Sequence, residues 1–100
     1  MSAALRIERV DPAQVRVAGE LGFANAGEGV ARTGELFGSG SEVTVDLTGL
    51  TRSDSATLGV LLIWAARAAA RDTRLRFSNV PAGLGALAHL CDAEPLLGIA

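Results

Sequence analysis

Cysteine is nearly absent from this chain. Cys91 is the only thiol, so no internal disulfide can form, which fits a reducing compartment. Histidine is as scarce. His89 stands alone with Cys91 two positions away, so the sequence offers no metal-ligand set, and neither a metal nor a cofactor is expected. Long apolar runs are missing too. The longest, Leu58 to Ala66, meets Arg67 far short of the roughly 20 residues needed to span a bilayer. No basic segment followed by an apolar one opens the chain, so no secretory leader is expected. Nor is there a basic excess. The 9 basic and 11 acidic side chains give a formal charge of −2, which argues against a nucleic-acid partner. The Gly-rich stretch "GFANAGEG" lacks the Gly-Lys-Ser/Thr ending of a phosphate loop, and no G-x-S-x-G elbow presents a serine for hydrolysis. Together the lone thiol, the missing leader and span and the missing catalytic motifs make a cytoplasmic, non-enzymatic protein the expectation, with no internal repeat, linker or low-complexity tract along the chain.

What is there is apolar material: 49% of 100 residues, enough for one domain, 1–100, with a core of its own. "LRIERV" and "QVRVAGEL" alternate as strands around the Asp11-Pro12 turn, and "EVTVDL" and "TRLRFSNV" read as two more. Phe23, Ala26, Val30, Leu36 and Phe37 share a broad stripe, predicting a helix over about 25–37 despite its glycines. Ser55 to Arg71 is the strongest helix, with Leu58, Leu61, Leu62, Ala65 and Ala69 on one face. A last helix follows Pro81, with Leu84, Leu87, Ala88 and Cys91 facing inward. The order β-β-α-β-α-β-α predicts an α/β fold: a mixed sheet of about four strands with helices packed on one face.

One stretch, "VDLTGLTRSDSATLGVLLIW" (45–64), sets hydroxyls and a carboxylate at the mouth of the most apolar helix. Asp54 suits the N-cap, accepting from the free N–H groups of the first turn. Ser55 then lies near the positive end of the helix dipole, where a phosphoryl group would be favoured. Opposite the inward stripe fall Val60 and Trp64, with Arg67 and Arg71 beyond. An outward Trp and two arginines suit a partner surface. Ser55 and this stripe together predict one docking face.

At these residues the sequence resembles the STAS family, named for sulfate transporters and anti-sigma factor antagonists. The pattern lies in "VDLTGL", a short polar loop, Asp54-Ser55 and "LGVLL", with "VRVAGEL" before it and "LRFSNVPAGLGALAHLCDAEPLL" after it. The resemblance implies a STAS fold over nearly the whole chain. It also implies that Ser55 matches the serine or threonine phosphorylated by a partner kinase in the antagonists, with Asp54 before it. Where antagonists carry a small residue and then glycine after that serine, this chain has Ala56-Thr57. The nearer likeness is to the small STAS subunits of Mla systems in Gram-negative bacteria, through Arg52-Ser53-Asp54-Ser55. That likeness implies a non-catalytic subunit bound to the cytoplasmic ATPase of a phospholipid-moving ABC transporter. The ATPase would hold it at the inner membrane, with contact to the permease only indirect. The alternative it implies is an anti-sigma factor antagonist that binds an anti-sigma kinase and is switched at Ser55. In either case Ser55, Asp54, Arg52, Ser53, Thr57, Val60 and Trp64 are the expected contact residues.

Overall fold

A computed structural model describes residues 4–38 and 40–99. Four strands form one sheet in the order β1 (Arg6–Asp11), β2 (Gln14–Leu21), β3 (Glu42–Ser53), β4 (Arg74–Ser78). β1 and β2 are an antiparallel hairpin, whereas β2–β3 and β3–β4 pair in parallel. Parallel neighbours need crossovers. Helix α1 (Ala26–Ala31) and a 3-10 turn (Thr33–Leu36) lie on the first, α2 (Ser55–Ala69) on the second, and α3 (Ala82–Leu90) follows β4. This is the mixed α/β fold the sequence predicts.

Alternation along the strands decides the layering. Val15, Val17 and Leu21 of β2, Val43, Val45 and Leu47 of β3, and Leu75 and Phe77 of β4 are buried against the helices. Arg16, Arg74 and Arg76, on the other phase, face water. Asp46 shares that polar face yet is held tightly. Its Oδ1 accepts from Thr48 Oγ1 at 2.6 Å, Thr48 N at 2.9 Å and Asn79 Nδ2 at 3.0 Å, with Arg16 3.7 Å from Oδ2.

Three expectations are corrected. The helix predicted over 25–37 is a six-residue α1 followed by a 3-10 turn, and Phe23, assigned to its inward stripe, is 75% exposed. β3 does not end with the Leu47 of "EVTVDL" but runs to Ser53, because Arg52 and Ser53 pair with Glu20 and Leu21 of β2. Cys91, placed inward, is exposed, since α3 ends at Leu90 and the chain turns away there.

The buried face of α2 is also rotated from the predicted one. Thr57, Val60, Leu61, Trp64 and Ala68 are buried at i, i+3, i+4, i+7 and i+11, with Leu58, while Leu62 and Ala65 are half-buried and Ala69 is exposed. The cause is α1. Gly29 of α1 comes so close that a Cβ there would lie 2.8 Å from Leu21 Cδ1 and 3.2 Å from Val60 Cγ1. Its carbonyl accepts the indole N–H of Trp64 at 2.9 Å. Arg67 and Arg71 are exposed but reach back to the same neighbouring segment: Arg67 Nη1 donates to Val30 O at 3.3 Å, and the Arg71 guanidinium stacks 4.4 Å from the Phe37 ring centre.

Candidate docking site at the start of the central helix

Parallel β3 and β4 run in the same direction, β3 extending beyond the end of β4, and lead into α2 and α3, whose first turns face one another across a cleft. Between them is a cleft of about 350 Å³ lined by Ser53, Asp54, Ser55, Gly83, Leu84 and Leu87. Ser53 is half-buried at the strand end; Arg52 and Ser55 are exposed.

The cap is built by two side chains. Asp54 Oδ1 accepts from Ala56 N at 2.8 Å, satisfying one free donor of the first turn. The Thr57 hydroxyl accepts from Asp54 N at 2.9 Å and donates to Leu21 O, which ties the helix start to the end of β2. Thr57 and Asp54 form a reciprocal capping box with threonine at its third position. Thr57 is therefore fully buried and structural, a correction to its expected contact role.

Asp54 also reaches the opposite way. Its Oδ2 accepts from the backbone N–H of Phe23 at 3.0 Å. Both carboxylate oxygens are thus occupied within the fold, one on α2 and the other on the β2–α1 turn. That turn is drawn so close that a Cβ on Gly22 would sit 2.4 Å from Asp54 Oδ2, so a side chain at 22 must displace the carboxylate. Asn25 completes the turn. Its Oδ1 accepts from Gly22 N at 3.0 Å and its Nδ2 donates to Glu20 O at 2.9 Å.

Of the residues expected to form the docking face, Arg52, Ser53, Asp54 and Ser55 are brought together at this edge. Val60, at 2% exposure, and Trp64, at 0%, are not: both are sealed beneath α1, and the outward indole expected from the sequence does not exist. Leu58 sits between two apolar phases of the helix, and sequence periodicity chose the wrong one because it cannot see α1. What the sequence reading missed is Gly22-Phe23. The signal was there in turn chemistry: a glycine directly after the strand, with an asparagine three residues on.

Chemically, the edge offers an exposed hydroxyl outside the hydrogen-bond set that builds the cap, an exposed guanidinium and an exposed ring. Among the described residues, no group of three or more His, Cys, Asp or Glu could hold a metal ion, and no helix is long and apolar enough to cross a membrane. These parts suit contact with another surface.

Comparison with known proteins agrees with this architecture. No curated protein matches the sequence. The structure of the anti-sigma factor antagonist SpoIIAA in its unphosphorylated form is similar over 97% of this chain and 88% of its own, with a TM-score of 0.71 and 20% identity. A crystal structure of Mglu is similar over 77% of this chain but 20% of its own, with a TM-score of 0.52 and 18% identity. At these identities the likeness is one of fold. The family model described as "Mlab, STAS domain" matches residues 5–98, nearly the whole chain. The chain therefore belongs to the MlaB-type STAS domain family.

Proposed function

We propose that this chain is a non-catalytic subunit that docks on the cytoplasmic ATPase of an Mla-type phospholipid ABC transporter and supports its assembly and activity. Contact is made through the start of α2. The family match gives the class of partner its support. The observation that carries the surface is the exposed Ser55 hydroxyl, set on a helix end whose cap is already complete through Asp54 and Thr57. A rigid end with one free hydroxyl loses little freedom when it is covered. The subunit stays in the cytoplasm and reaches the membrane face through the ATPase, with the permease contacted only through it.

A second reading has its own support. Ser55 is the first residue of α2, in the positive field of a 15-residue helix, and is accessible to a kinase. In an anti-sigma factor antagonist, the unmodified serine would bind the anti-sigma kinase and its phosphate would release it.

Affinity capture from native lysate of the source cells, with mass spectrometry of the captured proteins, separates the two. Recovery of an ABC ATPase with its permease supports the first reading. Recovery of a kinase-like protein alone, with a species about 80 Da heavier in the intact mass of the chain, supports the second and defeats the first.

A further inference from the structure

Among the described residues, three large apolar side chains stand well out in solvent: Phe23 at 75%, Leu90 at 80% and Leu96 at 66% exposure. Isolated exposed apolar residues are ordinary. Phe23 differs in how it is mounted. Its own N–H is held by Asp54 Oδ2, the preceding Gly22 N–H is held by Asn25 Oδ1, and Asn25 Nδ2 anchors the turn to Glu20 O. The backbone closes the turn with Asn25 N donating to Gly22 O at 3.1 Å. The chain thus spends a glycine with no room for a Cβ and two committed polar side chains on a turn whose central ring the core does not use.

The same carboxylate that holds Phe23 also caps α2, so the ring and Ser55 ride on one rigid unit. Arg52, Glu20 and Asp54 line the small hollow beside the ring, of about 50 Å³. An aromatic centre within a rim of charges of both signs has the anatomy of a binding hot spot, the ring giving affinity and the rim excluding water. Holding the turn in place beforehand removes an ordering cost from association.

We infer that Phe23 is the aromatic anchor of the docking surface at the start of α2, inserted into an apolar socket on the partner protein. This rests on the proposed function, which makes that partner the transporter ATPase. The ring takes the place in the interface that the buried Trp64 cannot fill.

The test uses the full chain and the separately purified ATPase subunit from the same cells, with affinity measured for wild type, Phe23→Ala, Phe23→Leu and Ser55→Asp. Phe23→Ala should weaken binding by about thirtyfold or more, with an unchanged melting temperature, because an anchor ring contributes at hot-spot scale. Phe23→Leu, which still fills an apolar socket, should recover most of that loss. Binding of Phe23→Ala within about twofold of wild type, while Ser55→Asp loses affinity, would overturn the anchor and leave the docking reading standing. Absence of wild-type binding would remove the docking reading and the anchor with it. A clear fall in melting temperature for Phe23→Ala would show the ring to be part of the fold, and the anchor would again be overturned.

Discussion

The indole N–H of Trp64 donates to the carbonyl of Gly29 at 2.9 Å, joining the middle of α2 to α1 inside the core. Without the indole, the buried Gly29 carbonyl keeps only the longer bond from Arg32 N, at 3.3 Å, and part of its desolvation cost goes uncompensated. Trp64→Phe should therefore destabilise by about 2 kcal/mol, and Trp64→Ala by roughly 3–5 kcal/mol, with the difference set by the cavity left behind. Chemical denaturation reads both. The chain has one tryptophan, so its emission reports this contact alone, blue-shifted when folded and red-shifted as the core opens.

Gly22 and Asp54 are expected to act as a unit. An alanine Cβ at 22 would lie 2.4 Å from Asp54 Oδ2, so the carboxylate must leave Phe23 N, Ala56 N or both. Gly22→Ala should cost about 1–2 kcal/mol, the worth of a lost cap. In Asp54→Ala there is nothing left to strike, so the double variant should be clearly less destabilised than the sum of the singles, by roughly 1 kcal/mol. Additive costs in a double-mutant cycle would mean that the clash is relieved elsewhere.

Asp46 titrates far below an ordinary aspartate, from 3.8 down to about 2. The Thr48 hydroxyl contributes most to this, then the Asn79 amide and the Thr48 N–H, with a smaller pull from Arg16; burial opposes them. A depressed folded value stabilises the protein above the unfolded value near 3.8, and that stability drains as pH falls toward about 2. The contribution is on the order of 2 kcal/mol at neutral pH. Asp46→Asn should be less stable than wild type by about that much at pH 7, with the gap closing as acid protonates Asp46. Denaturation curves for both proteins across the acid range check it, and a gap independent of pH would assign the loss to packing.

Both longer helices end with aspartate in the left-handed region, Asp72 at φ 57° and Asp92 at φ 54°. The bonds around them are those of a Schellman end: Thr73 N to Ala68 O and Asp72 N to Ala69 O in α2, and Ala93 N to Ala88 O and Asp92 N to His89 O in α3. Glycine adopts this conformation without strain. Asp92→Gly is exposed and should stabilise by about 0.5 kcal/mol, the strain relieved less the added freedom of the unfolded chain. A loss of stability would show that the Asp92 side chain contributes something beyond its backbone angle.

The order of elements was legible in the sequence because period-2 alternation in β2 and β3 and the 3.6 period of α2 are local signals. β2 was bounded at Gln14 and Leu21 by its own residues. The facing of α2 was not legible, since the helix is apolar on both sides: Leu58 and Leu61 fit either phase, Leu62 and Ala65 suggest one, and Val60 and Trp64 the other. Only the arrival of Gly29 chooses between them. α1 was the weakest element in the sequence and became the decisive one in the fold. At the site, Asp54 as a cap followed from local rules. Its second bond, to Phe23 31 positions away in sequence, depends on how β2 and β3 align, which no local pattern records.

Ser55 lies at the first position of α2, exposed, beside a carboxylate whose oxygens are already taken. Negative charge there meets the helix dipole favourably, by about 0.3–1 kcal/mol, and meets repulsion from Asp54 of similar size. Ser55→Asp should therefore leave the melting temperature nearly unchanged while weakening partner binding by about tenfold or more, because an unpaired charge must be desolvated at the interface. Ser55→Ala separates the two ways a hydroxyl can matter. If the interface uses the hydroxyl as a hydrogen-bond partner, Ser55→Ala also loses affinity, by about fivefold to tenfold. Should Ser55→Ala bind like wild type while Ser55→Asp fails, the interface needs only neutrality at this position, the property a phosphorylation switch would act on. Equal affinity of both variants and wild type would place the interface elsewhere on the molecule.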